Sequence, residues 1–231
     1  MPETVRFPDL MAFVVLPYVA LGLAVIGTIE RYRRHPFSCS SHSTQLLENR
    51  LHFWGEVPFH YGIILALAGH LVVALAPQSV LAWTGVPAGR VAIEGAALAS
   101  GLLAAVGMTA IIVRRLRVLD VRRVTGALDW CVYGLLAAQI AGGVAVAVLH
   151  PWGASWFASS LTPYLWSLAR FQPDASVVAA MPPLVKLHVA TAWTLLALFP
   201  YSRLVHVAAV PNPYLWRRPQ VVRWSRRALQ R

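Results

Sequence analysis

Apolar residues along this chain come in long blocks separated by short polar stretches, and none of the blocks alternates with the two-residue period of a strand. Five blocks reach the roughly 18–20 residues that a helix needs to cross a bilayer. They are Leu10–Ile29, Val57–Ala76, Val91–Val113, Trp130–Leu149 and Leu184–Ala208. Backbone groups in lipid must be satisfied within the chain, so blocks of this kind are helices. The expected fold is an all-α integral membrane bundle of five transmembrane helices. They should lie at about 10–29, 53–76, 91–113, 127–149 and 184–208, in a single domain over 1–231 with a basic tail at 212–231. Glu94 interrupts the third block, and Lys186 and Arg203 flank the fifth, where long side chains can snorkel. The first block reads as a retained helix. Its leading MPETVRFPD has one Arg against two acids, and no small-residue cleavage site follows. The longest connection, 150–183, holds Trp152, Trp156, Phe157, Tyr164, Trp166 and Phe171. It reads as an aromatic belt at the membrane surface or, more sharply, as a lid over a lipid-soluble substrate.

Only 13% of the residues are charged, about half the usual share for a soluble domain, yet the net charge is +11. A charge of that sign suggests nucleic acid until its distribution is considered. Sixteen of the twenty Lys and Arg fall in the first and third connections or at and beyond the end of the fifth helix. Only Arg6, Arg90, Arg170 and Lys186 fall on the other side. The positive-inside rule then places the N-terminus outside and the C-terminus in the cytoplasm. The arginines mainly set topology and meet anionic lipid, with a few available to a cytoplasmic partner or a cofactor carboxylate, and no nucleic-acid partner is expected. Cys39 and Cys131 form neither a CxxC nor a CxxCH, which excludes covalent c-type haem and argues against an iron–sulfur or zinc site in this chain.

Four of the eight histidines lie inside the apolar blocks: His60 and His70 on the second, His188 and His206 on the fifth. The two helices run in opposite directions. His60 and His206 therefore fall near the basic end, and His70 and His188 near the other. If both segments are straight helices, His60 and His70 are roughly 15 Å apart and His188 and His206 roughly 27 Å apart, the latter pair on one face. Two histidines from facing helices at each of two depths suit bis-imidazole haem, in which an apolar bundle holds the porphyrin and both axial positions are filled. The competing reading is a non-haem transporter that uses the histidines for protons or metal ions. It would call for more buried carboxylate or sulfur than Glu94, Gln139 and Met108 supply. A purely structural anchor for a cytoplasmic complex is a third possibility. The small-residue runs GAALASG (95–101) and AGGVAVA (141–147) fit close helix packing as well as room for a macrocycle.

The stretches FHYGIILALAGHLVVALAP (59–77) and LHVATAWTLLALFPYSRLVHVAAVP (187–211) carry a resemblance. Their specific parts are FPYSRLVH and the ten-residue histidine spacing, with weaker support from ASG (99–101) and TGALD (125–129). The chain resembles the gamma subunit of respiratory nitrate reductase, the di-haem cytochrome b of a quinol:nitrate oxidoreductase. The resemblance implies two haem b groups, the proximal one held by His60 and His206 and the distal one by His70 and His188. It implies a site for menaquinol or ubiquinol formed by His70, Gly69 and Arg90, the last standing where the family usually has Lys. Arg203 is a candidate partner for a haem propionate, and Glu94 for a quinol proton or, more plainly, for an i,i+4 ion pair with Arg90. The implied partners are a cytoplasmic iron–sulfur subunit (beta) and a molybdenum catalytic subunit (alpha), and the chain itself has no nitrate site. A related cytochrome b serving another molybdenum or sulfur oxidoreductase would share these features.

Overall fold

In the computed structural model, residues 6–35, 38, 39, 44, 47, 48 and 50–208 are described. His42 and the expected tail at 212–231 lie outside them. The described residues form helices and contain no strand. The long helices are α1 (Phe7–Arg34), α2 (Arg50–Leu75), α4 (Pro87–Arg117), α6 (Ala127–Leu149) and α9 (Pro183–Leu198). Between them lie α3 (Pro77–Thr84), α5 (Leu119–Arg123) and α8 (Ser176–Ala179). The aromatic connection is itself largely helical. Its helix α7 starts at Gly153–Trp156, passes through a π turn at Phe157–Leu161 and ends as Thr162–Ala169. Five helical segments among the described residues are long and apolar enough to cross a membrane. Leu67, on α2 between its two histidines, is 62% exposed and Leu71 is 58% exposed, a surface suited to lipid and not to water.

The basic residues do not all sit in the connections where the sequence places them. α1 runs on to Arg34 and α4 to Arg117, so Arg31, Arg114 and Arg115 belong to helices. Arg114 and Arg115 are 2% and 4% exposed. Hydrophobic blocks locate the apolar centre of a membrane helix, whereas the hydrogen-bonded helix continues for a turn or more beyond it.

α2 and α4 make the most intimate contact in the bundle. A Cβ at Gly62 would lie 2.4 Å from the Ala104 backbone nitrogen, and one at Gly107 would lie 2.3 Å from that of Phe59. Gly55 faces Ile111 in the same seam. With lipid on the outside there is no hydrophobic force between helices, and close backbone approach through small residues supplies the dispersion contact instead. α6 packs on α4 with Val132, Leu136 and Ile140 against Ala104 and Met108, and α9 joins through Leu195. At the opposite end, Tyr164 of α7 is fully buried beside Phe13, Val178 and Val189, and its hydroxyl donates to the Phe13 carbonyl at 2.8 Å. That carbonyl lies in a π turn of α1 (Met11–Val15).

The fifth expected helix does not continue to Ala208. α9 ends at Leu198, and two 3-10 turns follow at Phe199–Tyr201 and Arg203–Val207. Pro200 brings no N–H to the ladder and its ring crowds the preceding turn, which kinks or breaks a helix; α2 continues through Pro58, whereas here the helix ends. Ser202 between the turns is extended (φ −101°, ψ −179°), and its hydroxyl accepts from the Leu204 N–H. The carbonyls left over are taken by Arg31 of α1, whose Nη1 donates to Pro200 O at 2.6 Å and to Ser202 O at 2.9 Å. Gly27 of α1 lies against the Pro200 ring.

At the basic end, Arg114 ties the connection before α2 to the bundle. Its guanidinium donates to the Glu48 carboxylate, the Thr44 hydroxyl and the carbonyls of both residues, all at 2.8–2.9 Å. Burial would raise the Glu48 carboxyl, but the Leu51 N–H, the Arg114 guanidinium and the His52 N–H outweigh it and hold the group below its ordinary value of 4.5.

Two expectations follow. Gly62→Val places side-chain atoms inside the α4 backbone, which cannot yield as a flexible side chain would, so the purified variant should melt well below the parent in detergent. Gly134→Ala, where a Cβ meets nothing within 4 Å, should melt at or slightly above it. Because the folded-state value of Glu48 is depressed, its contribution is fully present above pH 4.5 and is lost as pH falls through the depressed value. Thermal melts from pH 6 down to 3 should therefore show a steeper loss in the parent than in Glu48→Gln; parallel curves would remove Glu48 from the stability of this end.

Candidate haem and quinol sites between four intramembrane histidines

α2 presents His60 and His70 ten residues apart. His60 meets His206 of the second 3-10 turn with ring centroids 6.4 Å apart, and His70 meets His188 of α9 at 6.5 Å. The unequal spacing expected for straight helices is resolved by the break at Pro200. His188 and His206 do not share one helix, so the rule of five whole turns does not apply to them. Two roughly 2 Å iron–imidazole bonds, plus the centre-to-nitrogen depth of each ring, put the centroids of a bis-imidazole pair roughly 6 Å apart. Both pairs fit that separation.

The protonation pattern fits as well. His60 Nδ1 donates to the Glu56 carbonyl at 2.7 Å, His70 Nδ1 to the Ala66 carbonyl at 2.6 Å and His206 Nδ1 to the Arg203 carbonyl at 2.7 Å. A carbonyl only accepts, so each Nδ1 carries the proton and each Nε2 keeps its lone pair for a metal. Two of the three carbonyls belong to the preceding turn of α2, so the helix itself orients the rings. His188 differs. Its Nδ1 is buried without a partner, and its Nε2 lies 3.3 Å from the amide nitrogen of Gln139 on α6. Gln139 accepts in turn from Thr191 one turn along α9. Gly142 and Gly143 leave the room that the His188 ring fills, since a Cβ at Gly143 would come within 3.1 Å of it.

Around the His60–His206 pair is a cavity of about 280 Å³, bounded by α2, α4, α6 and the second 3-10 turn. Arg203 lines it, engaged with Asp129 by two parallel contacts of 2.8 Å and with the Val124 carbonyl. The arginine expected to hold a propionate is therefore already matched to a carboxylate of this chain. Arg115, which the sequence does not single out among the arginines that set topology or serve a partner or a cofactor carboxylate, lines the same cavity.

Around the His70–His188 pair the first half of α7 closes in. Phe157 packs on His70 with centroids 5.3 Å apart, and Arg90 lies over the Trp152 ring at 3.9 Å. Glu94 accepts from the Ala154 N–H at 2.8 Å, beside the start of α7. The i,i+4 ion pair expected between Arg90 and Glu94 does not form: Arg90 turns to Trp152, just before α7, and Glu94 to the first turn of α7. Gly69 has open space where a Cβ would be. Phe157 and Trp152 were legible only as members of an aromatic-rich connection; nothing in the sequence assigned either to His70 or Arg90. Ala154 should exchange its amide hydrogen slowly, and Glu94→Ala should speed that exchange by tenfold or more relative to its neighbours. Equal exchange in both proteins would show that Glu94 does not hold α7.

The fold and these sites define a polytopic helical membrane protein with two histidine pairs at two depths of one bundle. Residues 9–225 match the model of the nitrate reductase gamma subunit family. The nitrate reductase gamma chain of Bacillus subtilis (strain 168) is 30% identical over 207 residues, covering 88% of this chain and 92% of that protein. The respiratory nitrate reductase 1 gamma chain of Escherichia coli (strain K12) is 30% identical over 224 residues, covering 94% and 98%. The nitrate reductase-like protein NarX of Mycobacterium tuberculosis (strain ATCC 25618 / H37Rv) is 30% identical over 232 residues, which cover 97% of this chain but 35% of that longer protein. The chain belongs to the nitrate reductase gamma subunit family. It is a multi-pass membrane protein of that family.

Proposed function

We propose that this chain is the quinol-oxidising, di-haem cytochrome b subunit of its complex. The observation that carries the reading is the closure of both histidine pairs to the separation of a bis-imidazole site, with three of the four rings fixed in the tautomer that leaves Nε2 free. His60 and His206 would hold the proximal haem b, and His70 and His188 the distal one. Haem b, when bound, supplies one-electron carriage across the bilayer. The positive-inside distribution puts the proximal pair at the cytoplasmic face, where the iron–sulfur subunit (beta) would receive electrons for the molybdenum subunit (alpha).

Menaquinol or ubiquinol binds at the His70–His188 end. The open space at Gly69 admits the ring, Phe157 and Trp152 cover it from the membrane surface, and Arg90 is within reach as a hydrogen-bond donor once it leaves the Trp152 face. Glu94 is the carboxylate placed to take a proton from a quinol hydroxyl and pass it to the outer aqueous phase. α7 is thus a lid over a lipid-soluble substrate, the sharper of the two readings of its aromatic sequence.

Single histidine replacements separate the two ends. His188→Ala should retain one haem per chain and lose reduction by added quinol. His206→Ala should also retain one, but that haem should still be reduced by quinol while nitrate-dependent reoxidation in the complex is lost. Two haems in either variant would break the ligand assignment, and quinol reduction surviving in His188→Ala would move the quinol site.

A further inference from the structure

Three arginines crowd the basic end of the bundle, and two of them are satisfied from within the chain. Arg114 is spent on Glu48 and Thr44, and Arg203 on Asp129 and Val124. Arg115 is 4% exposed and lines the cavity that also receives His60 and His206. Its Nη1 donates to the Thr125 hydroxyl at 2.9 Å, and the face of its guanidinium is held 4.4 Å over the Tyr133 ring. Its Nε is buried with no hydrogen-bond partner, and no acid of the described residues lies within ion-pair distance of it. A second buried donor or acceptor on the same cavity, His52 Nδ1, also has no hydrogen-bond partner, lying 3.8 Å from Glu56.

A buried guanidinium with an unused N–H is costly, because burial of a charge is compensated only by pairing and hydrogen bonding. A planar fork with free donors suits a carboxylate in particular. The stacking on Tyr133 and the bond to Thr125 fix the plane of the group, so its orientation is set before any ligand arrives. Glu56 and Asp129 also line the cavity, but the first lies against His52 and His60 and the second is taken by Arg203. Neither supplies the missing acceptor.

We propose that Arg115, with His52 beside it, is the carboxylate-binding subsite of this cavity, receiving a propionate of the iron porphyrin held by His60 and His206. The inference rests on the di-haem reading above and assigns to Arg115 the role that the sequence suggests for Arg203. It also explains why a cation is buried at 4% exposure in a helix whose neighbouring arginine is fully paired. A structural role alone, such as holding Thr125 at the start of α6, would be indifferent to the ligand's carboxylates.

The test uses the full chain in detergent, stripped of haem, and titrates it with iron protoporphyrin IX or with its dimethyl ester, in which both carboxylates are blocked. The His70–His188 site serves as the internal control within each titration. The unaltered chain should take up the free acid at the proximal site at least about tenfold more tightly than the ester, the factor expected for one hydrogen bond to a charged group. Arg115→Leu should lose that preference while its distal site titrates as before, and Arg203→Leu should keep it. If Arg115→Leu fails to fold, Arg115→Lys decides, since an ammonium keeps part of the preference for the acid. The proposal is overturned if Arg115→Leu, or Arg115→Lys in its place, discriminates acid from ester as well as the unaltered chain does, or if Arg203→Leu alone loses the preference. An unaltered chain that binds no haem at all would overturn the di-haem reading instead, and this proposal with it.

Discussion

Two histidine pairs can close at two depths only if the segment from His188 to His206 does not run as one straight helix beside the ten residues from His60 to His70. The break at Pro200 meets that constraint, and Arg31 makes the break tolerable. Its guanidinium takes the carbonyls of Pro200 and Ser202, which the interrupted helix can no longer bond. Gly27, one turn earlier on α1, lets the Pro200 ring sit against that helix. α1 contributes no histidine, yet it sets where His206 falls.

The other fixed element is the glycine seam between α2 and α4. It holds the helix that carries His60 and His70 so close to α4 that backbones touch. Arg115 and Met108 thereby enter the space beside His60, while Arg90 and Glu94, at the far end of α4, come to lie against α7. One seam therefore sets both ends of the bundle. The polar groups at each end are largely accounted for by partners within the chain. The exceptions among the described residues include His188 Nδ1, His52 Nδ1 and Arg115 Nε. These three belong to a histidine ligand candidate or line the cavity beside one, where a bound group would supply what the chain does not; Thr28 Oγ1 of α1, also unpartnered, does neither.

The class of fold was legible in the sequence because lipid leaves so few solutions: long apolar blocks must be helices, and their order fixes which histidines share a depth. The fourth expected helix, at 127–149, coincides with α6. The break in the fifth was carried by Pro200 in FPYSR, but the apolar runs on either side of it, LLALF and LVHVAAV, read as one continuous block and mask the change of backbone. Pairings across the bundle were less accessible. Arg203 and Asp129 are 74 residues apart, Glu94 and Ala154 are 60 apart, and no periodicity links either pair. Arg114 and Arg115 are adjacent and alike in sequence. Only the three-dimensional arrangement separates the one that knots a connection from the one that faces the cavity. The aromatic run at 152–166 pointed to a segment at the membrane surface; that it is helical, and that Phe157 at the start of a π turn packs on His70, was not legible.

The central claim is that the two histidine pairs are two haem sites. The most direct measurement is the dithionite-reduced minus oxidised optical spectrum of the complex, with haem extracted and quantified per copy of this chain. Two low-spin b-type haems per chain, titrating as separate components, are the result this account requires. A colourless chain, or one haem that remains when either histidine pair is replaced, would contradict it.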